Sequence, residues 1–215
     1  MEKGNMQKKT RLIGISGKIG SGKDTTAELI QLVTLYGLNY TDELKNVAPR
    51  LLDDPELKQY TLQNNTWKIA KYAENLKVIA SLLTGIPREK FEDQEFKKTH
   101  LGPEWNNITV RTFLQTLGTN ALRDNMNKNV WVNSLFGNFE PASHWLVTDT
   151  RFPNEADAIK ERGGIVVRIH RGDSVDAHES ETALDDYDFD YVIHNTGSKE
   201  ELLEEVVKFV NHYQL

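Results

Sequence analysis

At 215 residues, with 38% hydrophobic and 27% charged side chains and only six prolines, the chain has the composition of an ordinary globular protein able to bury a core, and one domain is expected. A net charge of -6 gives no basic surface for coating DNA or RNA, and the lack of cysteine excludes disulfides, thiolate metal sites and a cysteine nucleophile. No apolar run approaches the ~18 residues of a membrane span, and the polar opening MEKGNMQKKT lacks the apolar stretch of a secretory signal, so the cytoplasm is expected and residues 1–10 read as a frayed tail.

Residues 11–16, RLIGIS, form a short apolar run that stops at Gly17, the length of a buried strand feeding a turn. From Lys23 the pattern turns helical, because Ala27, Leu29, Ile30, Leu32 and Val33 share one broad face at 3.6-residue spacing. Residues 36–65 mix acidic and polar stretches around few apolar residues and read as an excursion with no element assigned. WKIAKYA, 67–73, reads as a strand running into a helix over 75–83, which Gly85 and Pro87 end. The charged stretch PREKFEDQEFKKTH reads as a solvated helix or loop. TVRTFLQTLGTNALRDNM, 109–126, predicts a helix opened by Thr109, apolar at Val110, Phe113, Leu114 and Leu117, and interrupted near Gly118. HWLVTD, 144–149, predicts a buried strand ending in a carboxylate. A helix over 154–162, a Gly163-Gly164 turn, the strand IVVRIH, an irregular polar segment, the strand FDYVIH and a helix over 198–213 follow. Strands alternating with helices indicate an α/β fold with a mainly parallel sheet.

The chemistry begins at GKIGSGKD, 17–24. Gly17, Gly22 and Lys23 stand at the spacing of a phosphate-cradling loop, in which glycines let backbone N–H groups turn inward to an anion and the lysine reaches the outer phosphates. The helix that follows adds its positive N-terminal end. Such loops usually have a hydroxyl after the lysine to bind Mg2+; Asp24 can instead accept a magnesium-bound water or serve the helix N-terminus, with Thr25 beside it. Asp149 ends the strand HWLVTD where a carboxylate positions magnesium or its waters, although a strand-end aspartate also caps turns. Arg151 then falls at the carboxyl edge of the sheet, where its planar fork suits a phosphate. Arg168 and Arg171 flank the end of IVVRIH and could offset charge on a transferring phosphoryl group. The six histidines show no metal-ligand spacing, and Ser16 and Ser21 have no histidine partner nearby, which removes zinc and serine-hydrolase readings.

These residues resemble the bacteriophage deoxynucleoside-monophosphate kinases, relatives of the nucleoside-monophosphate kinases within the phosphate-loop (P-loop) NTPases. The resemblance runs over most of the chain, through SGKIGSGKDTTAELI, YAENLK, TVRTFLQTLGTNALRD, VWV, VTDTRFPNEADAI, GGIVVRIHR, DAHESETALDD and DYVIHNTGSKEELLEEV. It implies a three-layer P-loop fold with about five strands and a helical substrate-binding insertion over 36–143. It further implies transfer of the γ-phosphoryl group of ATP to a deoxynucleoside monophosphate (dNMP), with Mg2+ as cofactor, in nucleotide supply for DNA synthesis. Mapped onto this chain, Gly20, Ser21, Gly22, Lys23, Asp24 and Thr25 would hold the ATP phosphates, and Asn195 and Gly197 would border the adenine. Lys18, Lys77, Arg111, Trp131, Thr150, Arg151, Glu155, Ser180 and Glu181 would serve the acceptor, Trp131 filling the space of a ribose 2'-hydroxyl. Lys23, Arg151 and Asp149 are the expected catalytic groups, and Asp24, Thr25 and Asp149 the expected metal site. ATP and a dNMP are the expected partners, with no nucleic acid polymer or membrane; the sequence leaves homodimer formation open, and a phage-encoded chain would work in the host cytoplasm. Two rivals keep the loop: a kinase of another phosphorylated acceptor, of dephospho-coenzyme A or phosphomevalonate type, and a switch that only hydrolyses nucleotide.

Overall fold

The computed structural model of the chain describes residues 12–37, 53–137, 139–140, 143–172 and 179–215. The expected tail at 1–10, His178 and the stretch 38–52 lie outside the described residues. Two compact units emerge: one comprises the residues up to Ala70 and from Glu140 onward, the other Lys71–Phe139.

The first unit is built on a five-stranded sheet, all of whose pairings are parallel. β1 (Leu12–Ser16) lies at its centre, and the strand order is β2-β3-β1-β4-β5, with β2 at Trp67–Ala70, β3 at His144–Val147, β4 at Ile165–His170 and β5 at Tyr191–His194. All five residues of β1 are buried, as a central strand covered on both faces requires. Alternation divides its two faces. Ile13 and Ile15 join the core formed with Ala27, Ile30 and Val33 of α1 (Lys23–Tyr36) and Leu202, Val206 and Phe209 of the C-terminal helix Lys199–Tyr213. Gly14 turns to the other side, where Ile159 of the helix Pro153–Glu161 approaches so closely that a Cβ would meet its Cδ1 at 2.4 Å. Helices on both faces of a parallel sheet give the three layers expected. Among the described residues no helix is long and apolar enough to cross a membrane.

Local signals explain the helix ends. Ser198 accepts the Glu201 N–H at 3.3 Å while Glu201 reaches back to the Ser198 N–H at 3.2 Å, a reciprocal cap. Numbered in chain order, α2 is Pro55–Asn64, inside the excursion to which the sequence assigned no element; its sequence, PELKQYTLQN, lacks a clear apolar stripe, and of the residues described in it all but the buried Thr61 are exposed. Both α2 and the edge strand β2 belong to the first unit.

The second unit holds α3 (Glu74–Thr84), three short 3-10 turns, α4 (Val110–Gln115) and α5 (Val130–Phe136). Thr109 accepts the Thr112 N–H at 3.1 Å and opens α4 as its residue type predicts. Near Gly118 the helix does not break; it widens into π-type turns over Thr116–Asp124. The charged stretch 87–100 faces solvent along most of its length, as the solvated reading expects, except at Phe91, which is fully buried among Ala80, Leu101, Val110 and Phe113. In the first unit the remaining helices are α6 (Pro153–Glu161), α7 (Glu179–Thr182) and α8 (Lys199–Tyr213).

Phe209 is fully buried beneath the sheet, so Phe209→Ala is expected to cost about 3–5 kcal/mol in urea unfolding. Leu82→Ala, at a site 81% exposed, is expected to change stability by less than about 0.5 kcal/mol.

Candidate active site

The loop between β1 and α1 sits at the carboxyl end of the central strand, the end at which open parallel sheets bind ligands. Gly22 takes φ 95°, in the left-handed region, and a Cβ there would lie 2.5 Å from Asn195 Nδ2, so its conformation and its neighbour both demand glycine. Asn195, just past β5, donates from that nitrogen to the Ser21 carbonyl at 2.8 Å. Arg171, just past β4, donates to the Gly20 carbonyl at 3.3 Å. The Ile19 N–H donates to Glu181 Oε2 at 2.8 Å. Three separate segments therefore brace the loop.

Lys23 Nζ lies inside it, donating to the carbonyls of Gly17 at 2.6 Å and Lys18 at 2.8 Å. Burial first, and then the Arg151 guanidinium, lower its pKa from 10.5 to about 8, against the opposing pull of Glu181, Asp24 and Asp149. Ser21 Oγ is buried and has no hydrogen-bond partner among the described residues. An orphaned hydroxyl beside a buried ammonium and a helix N-terminus is what an oxyanion would satisfy.

Cations gather around this loop in a chain that is acidic overall. Arg168 donates to Ser16 Oγ at 3.1 Å and pairs with Asp185 at 2.9 Å, and Lys18 reaches the same carboxylate at 2.9 Å. Arg151 forms an ion pair with Glu181 and lies 3.5 Å from Ser180 Oγ. With Arg171, His170, Phe189 and His194, several of these groups line a cleft of about 450 Å³ beside Gly20 and Ser21. Asp185 and Phe189 were not among the expected site residues; Asp185 falls in the irregular polar segment and Phe189 opens the expected strand FDYVIH.

Asp24 and Asp149 stand on the other flank. Asp24 is exposed in the first turn of α1 and accepts the Thr148 hydroxyl at 3.2 Å, and Thr25 beside it is half-buried. Both carboxylates lie near enough to Lys23 to favour its charged form. Among the described residues no three acidic or histidine side chains form a metal cluster. Two carboxylates are enough for magnesium, which binds through one or two of them together with substrate phosphates and water, so this donor set fits the ion. Gly197 is exposed ahead of α8, and a Cβ there would collide with the Glu201 carboxylate that closes the helix cap.

Two residues expected to touch an acceptor are instead tied into the scaffold of the first unit. Thr150 is 1% exposed, with its N–H on the Ile15 carbonyl at 3.3 Å and its hydroxyl 3.5 Å from the Val147 carbonyl. Glu155, 4% exposed, accepts the N–H groups of Arg151 at 2.8 Å and Phe152 at 3.1 Å through one oxygen, fixing the chain that presents Arg151. In the second unit, Lys77 gives both oxygens of Glu92 a hydrogen bond, at 2.7 and 2.8 Å, and Arg88 shares that carboxylate. Arg111 reaches Gln94 at 3.2 Å. Trp131 is 7% exposed and donates its indole N–H to the Gly118 carbonyl at 2.9 Å, within the widened turns.

Burial, aided by the nearby Asp149 charge, raises the Glu155 pKa from 4.5 to about 8. A folded-state value above the unfolded one means stability that is full below pH about 4.5 and drains as pH rises toward 8, at about 1.4 kcal/mol per pH unit. Glu155→Gln keeps an acceptor for both amides and removes the charge. Its unfolding free energy is expected to exceed that of the parent at pH 8 and to match it near pH 5, measured by urea unfolding at both values.

Comparison with known proteins agrees with this geometry. The chain is 28% identical to a protein of Acanthamoeba polyphaga mimivirus, provisionally named a deoxynucleotide monophosphate kinase, over 94% of this chain and 96% of that one. It is 34% identical to the deoxynucleotide monophosphate kinase of Enterobacteria phage T4 over 47% of this chain and 46% of that protein. With the enzyme of the same name from Escherichia phage RB69 it shares 30% identity over 49% of this chain and 48% of that protein. A family profile described as deoxynucleotide monophosphate kinase matches residues 51–206, most of the sequence, and the chain belongs to that family.

Proposed function

We propose that the chain transfers the γ-phosphoryl group of ATP to the phosphate of a deoxynucleoside 5'-monophosphate, giving the deoxynucleoside diphosphate and ADP. The observation that carries this reading is the anion cradle itself: a buried ammonium held on two loop carbonyls, an orphaned Ser21 hydroxyl and a ring of cations at the carboxyl edge of the sheet. In the transfer, an oxygen of the acceptor phosphate forms a bond to the γ-phosphorus while the bond from that phosphorus to the β–γ bridging oxygen breaks, and ADP leaves with the electron pair. The attacking oxygen is already ionised at neutral pH, so no general base is needed, and catalysis rests on positioning and charge neutralisation.

On this reading the amides of Gly20 to Thr25 cradle the triphosphate, and Lys23 exchanges the Gly17 and Lys18 carbonyls for phosphate oxygens. Arg168 and Arg171 offset donor charge, while Asn195 and Gly197 border the adenine. Arg151 and Lys18 serve the transferring and accepting phosphates, with Ser180 and Glu181 beside Arg151. Thr150, which is buried, supports the chain ahead of Arg151 rather than touching the acceptor. Magnesium held through Asp24 and Asp149, with Thr25 adjacent, would neutralise charge on the β- and γ-phosphates when bound.

The test is ADP release from ATP and Mg2+ with each of the four dNMPs, their ribose counterparts and dephospho-coenzyme A. Turnover is expected with deoxy acceptors, and Lys23→Ala is expected to lower kcat/KM by about 10²–10³-fold, the range for removing one group that stabilises developing charge. A release rate that no deoxynucleotide raises above the acceptor-free value would defeat the proposal.

A further inference from the structure

Glu181 presents a buried charge whose partners are unusual. Its side chain is 3% exposed, and its two oxygens are divided between two groups of the phosphate site. Oε2 accepts the Ile19 N–H of the loop at 2.8 Å, and Oε1 takes Nη1 of Arg151. Loop, Arg151 and Glu181 come from three distant parts of the chain, after β1, after β3 and within α7. We propose that Glu181 is a positioning residue for phosphoryl transfer: one buried carboxylate ties the loop to the Arg151 guanidinium and fixes the spacing between two elements that hold phosphate. This inference rests on the kinase reading above.

The energetics favour a role of this kind over simple stabilisation. Withdrawing a carboxylate from water costs several kcal/mol, and a well-packed apolar pair often stabilises as well or better, so the ion pair is a poor choice where stability alone is at stake. What it supplies is orientation. An arginine has considerable side-chain conformational entropy to lose on being fixed, and here that loss precedes substrate binding. Arg151 is also held at its backbone, where its N–H donates to Glu155 at 2.8 Å, and its Nη1 lies 3.5 Å from Ser180 Oγ. Among the described residues both side-chain contacts run through Nη1, which leaves Nε and Nη2 of the five-donor fork to an oxyanion. Asp185 provides a contrast: its side chain is 39% exposed, and it pairs with Lys18 and Arg168 without touching the loop backbone.

The test is a double-mutant cycle on the full chain with Glu181→Gln, Arg151→Ala and both together. It is read twice, as the dissociation constant of tripolyphosphate by calorimetry and as kcat and KM with a dNMP. Glu181→Gln retains an acceptor for the Ile19 N–H but loses the charge that holds Arg151. Alone it is expected to lower kcat about 10-fold or more, with KM changed less, and to weaken tripolyphosphate binding several-fold. In the Arg151→Ala background the same substitution is expected to change either quantity less than about 2-fold. Equal losses in the two backgrounds, or an Arg151→Ala variant that matches the parent in both readouts, would overturn the proposal. Should Glu181→Gln not fold, Glu181→Asp, which keeps the charge and shortens the reach, takes its place under the same criteria. A parent chain that binds tripolyphosphate but phosphorylates no dNMP would defeat the kinase reading while the binding arm still decides the brace.

Discussion

The structure turns on a lysine ammonium held inside a turn of backbone. Among the described residues Lys23 has no carboxylate as its hydrogen-bond partner; two loop carbonyls accept from it, and burial has already lowered its affinity for its proton. Keeping a cation there requires the loop to stay closed around it, and the parallel sheet provides that closure. β1 delivers the loop, α1 carries it away, and the residues just past β4 and β5 reach back to hold the Gly20 and Ser21 carbonyls. Gly22 completes the arrangement, since its backbone conformation and the approach of Asn195 leave no room for a side chain.

A second consequence is the way an acidic chain maintains a cationic site. With a net charge of -6 the protein has carboxylates to spare, and it pairs them with cations of the candidate site and of the second unit. Glu181 is matched to Arg151, Asp185 to Lys18 and Arg168, and in the other unit Glu92 to Lys77. Such pairing limits the mutual repulsion of clustered cations while no anion is bound. It also orients them, since each arginine and lysine arrives at its place on a fixed partner. Pairs that are partly withdrawn from water, as these are, lose in desolvation much of what their attraction gains, so their value lies in geometry.

Much of the first unit was legible because its signals are local. An apolar run ending in glycine, a lysine at fixed spacing and a broad helical stripe mark β1, the loop and α1 from adjacent residues alone. The same holds for the Thr109 and Ser198 caps, where one side chain serves its own helix. What the sequence concealed was long-range. Phe91 is buried within a charged stretch because a 3-10 turn needs only one inward residue, and no periodicity announces it. Helix α2 lacks an apolar stripe. Asp185 and Glu92 matter through partners 167 and 15 residues away, which composition does not reveal. Thr150 and Trp131 are assigned to the acceptor by resemblance alone, and the sequence does not reveal that both side chains are buried with their polar groups turned to the Val147 and Gly118 carbonyls. Near Gly118 the expected interruption is a change of helical pitch, since a residue without a side chain admits Leu76 to within 2.7 Å of the position its Cβ would occupy.

The most direct test of the central claim is the pKa of Lys23 itself, followed through the side-chain carbon shift next to its ammonium in labelled protein, with and without tripolyphosphate. A buried lysine held only by carbonyls should titrate near 8 in the free chain and return toward 10.5 when a polyanion replaces those carbonyls. A value already at 10.5 in the free protein, or one that the polyanion leaves unchanged, would contradict the account, because Lys23 would then be neither buried in the loop nor the counter-charge of the phosphate.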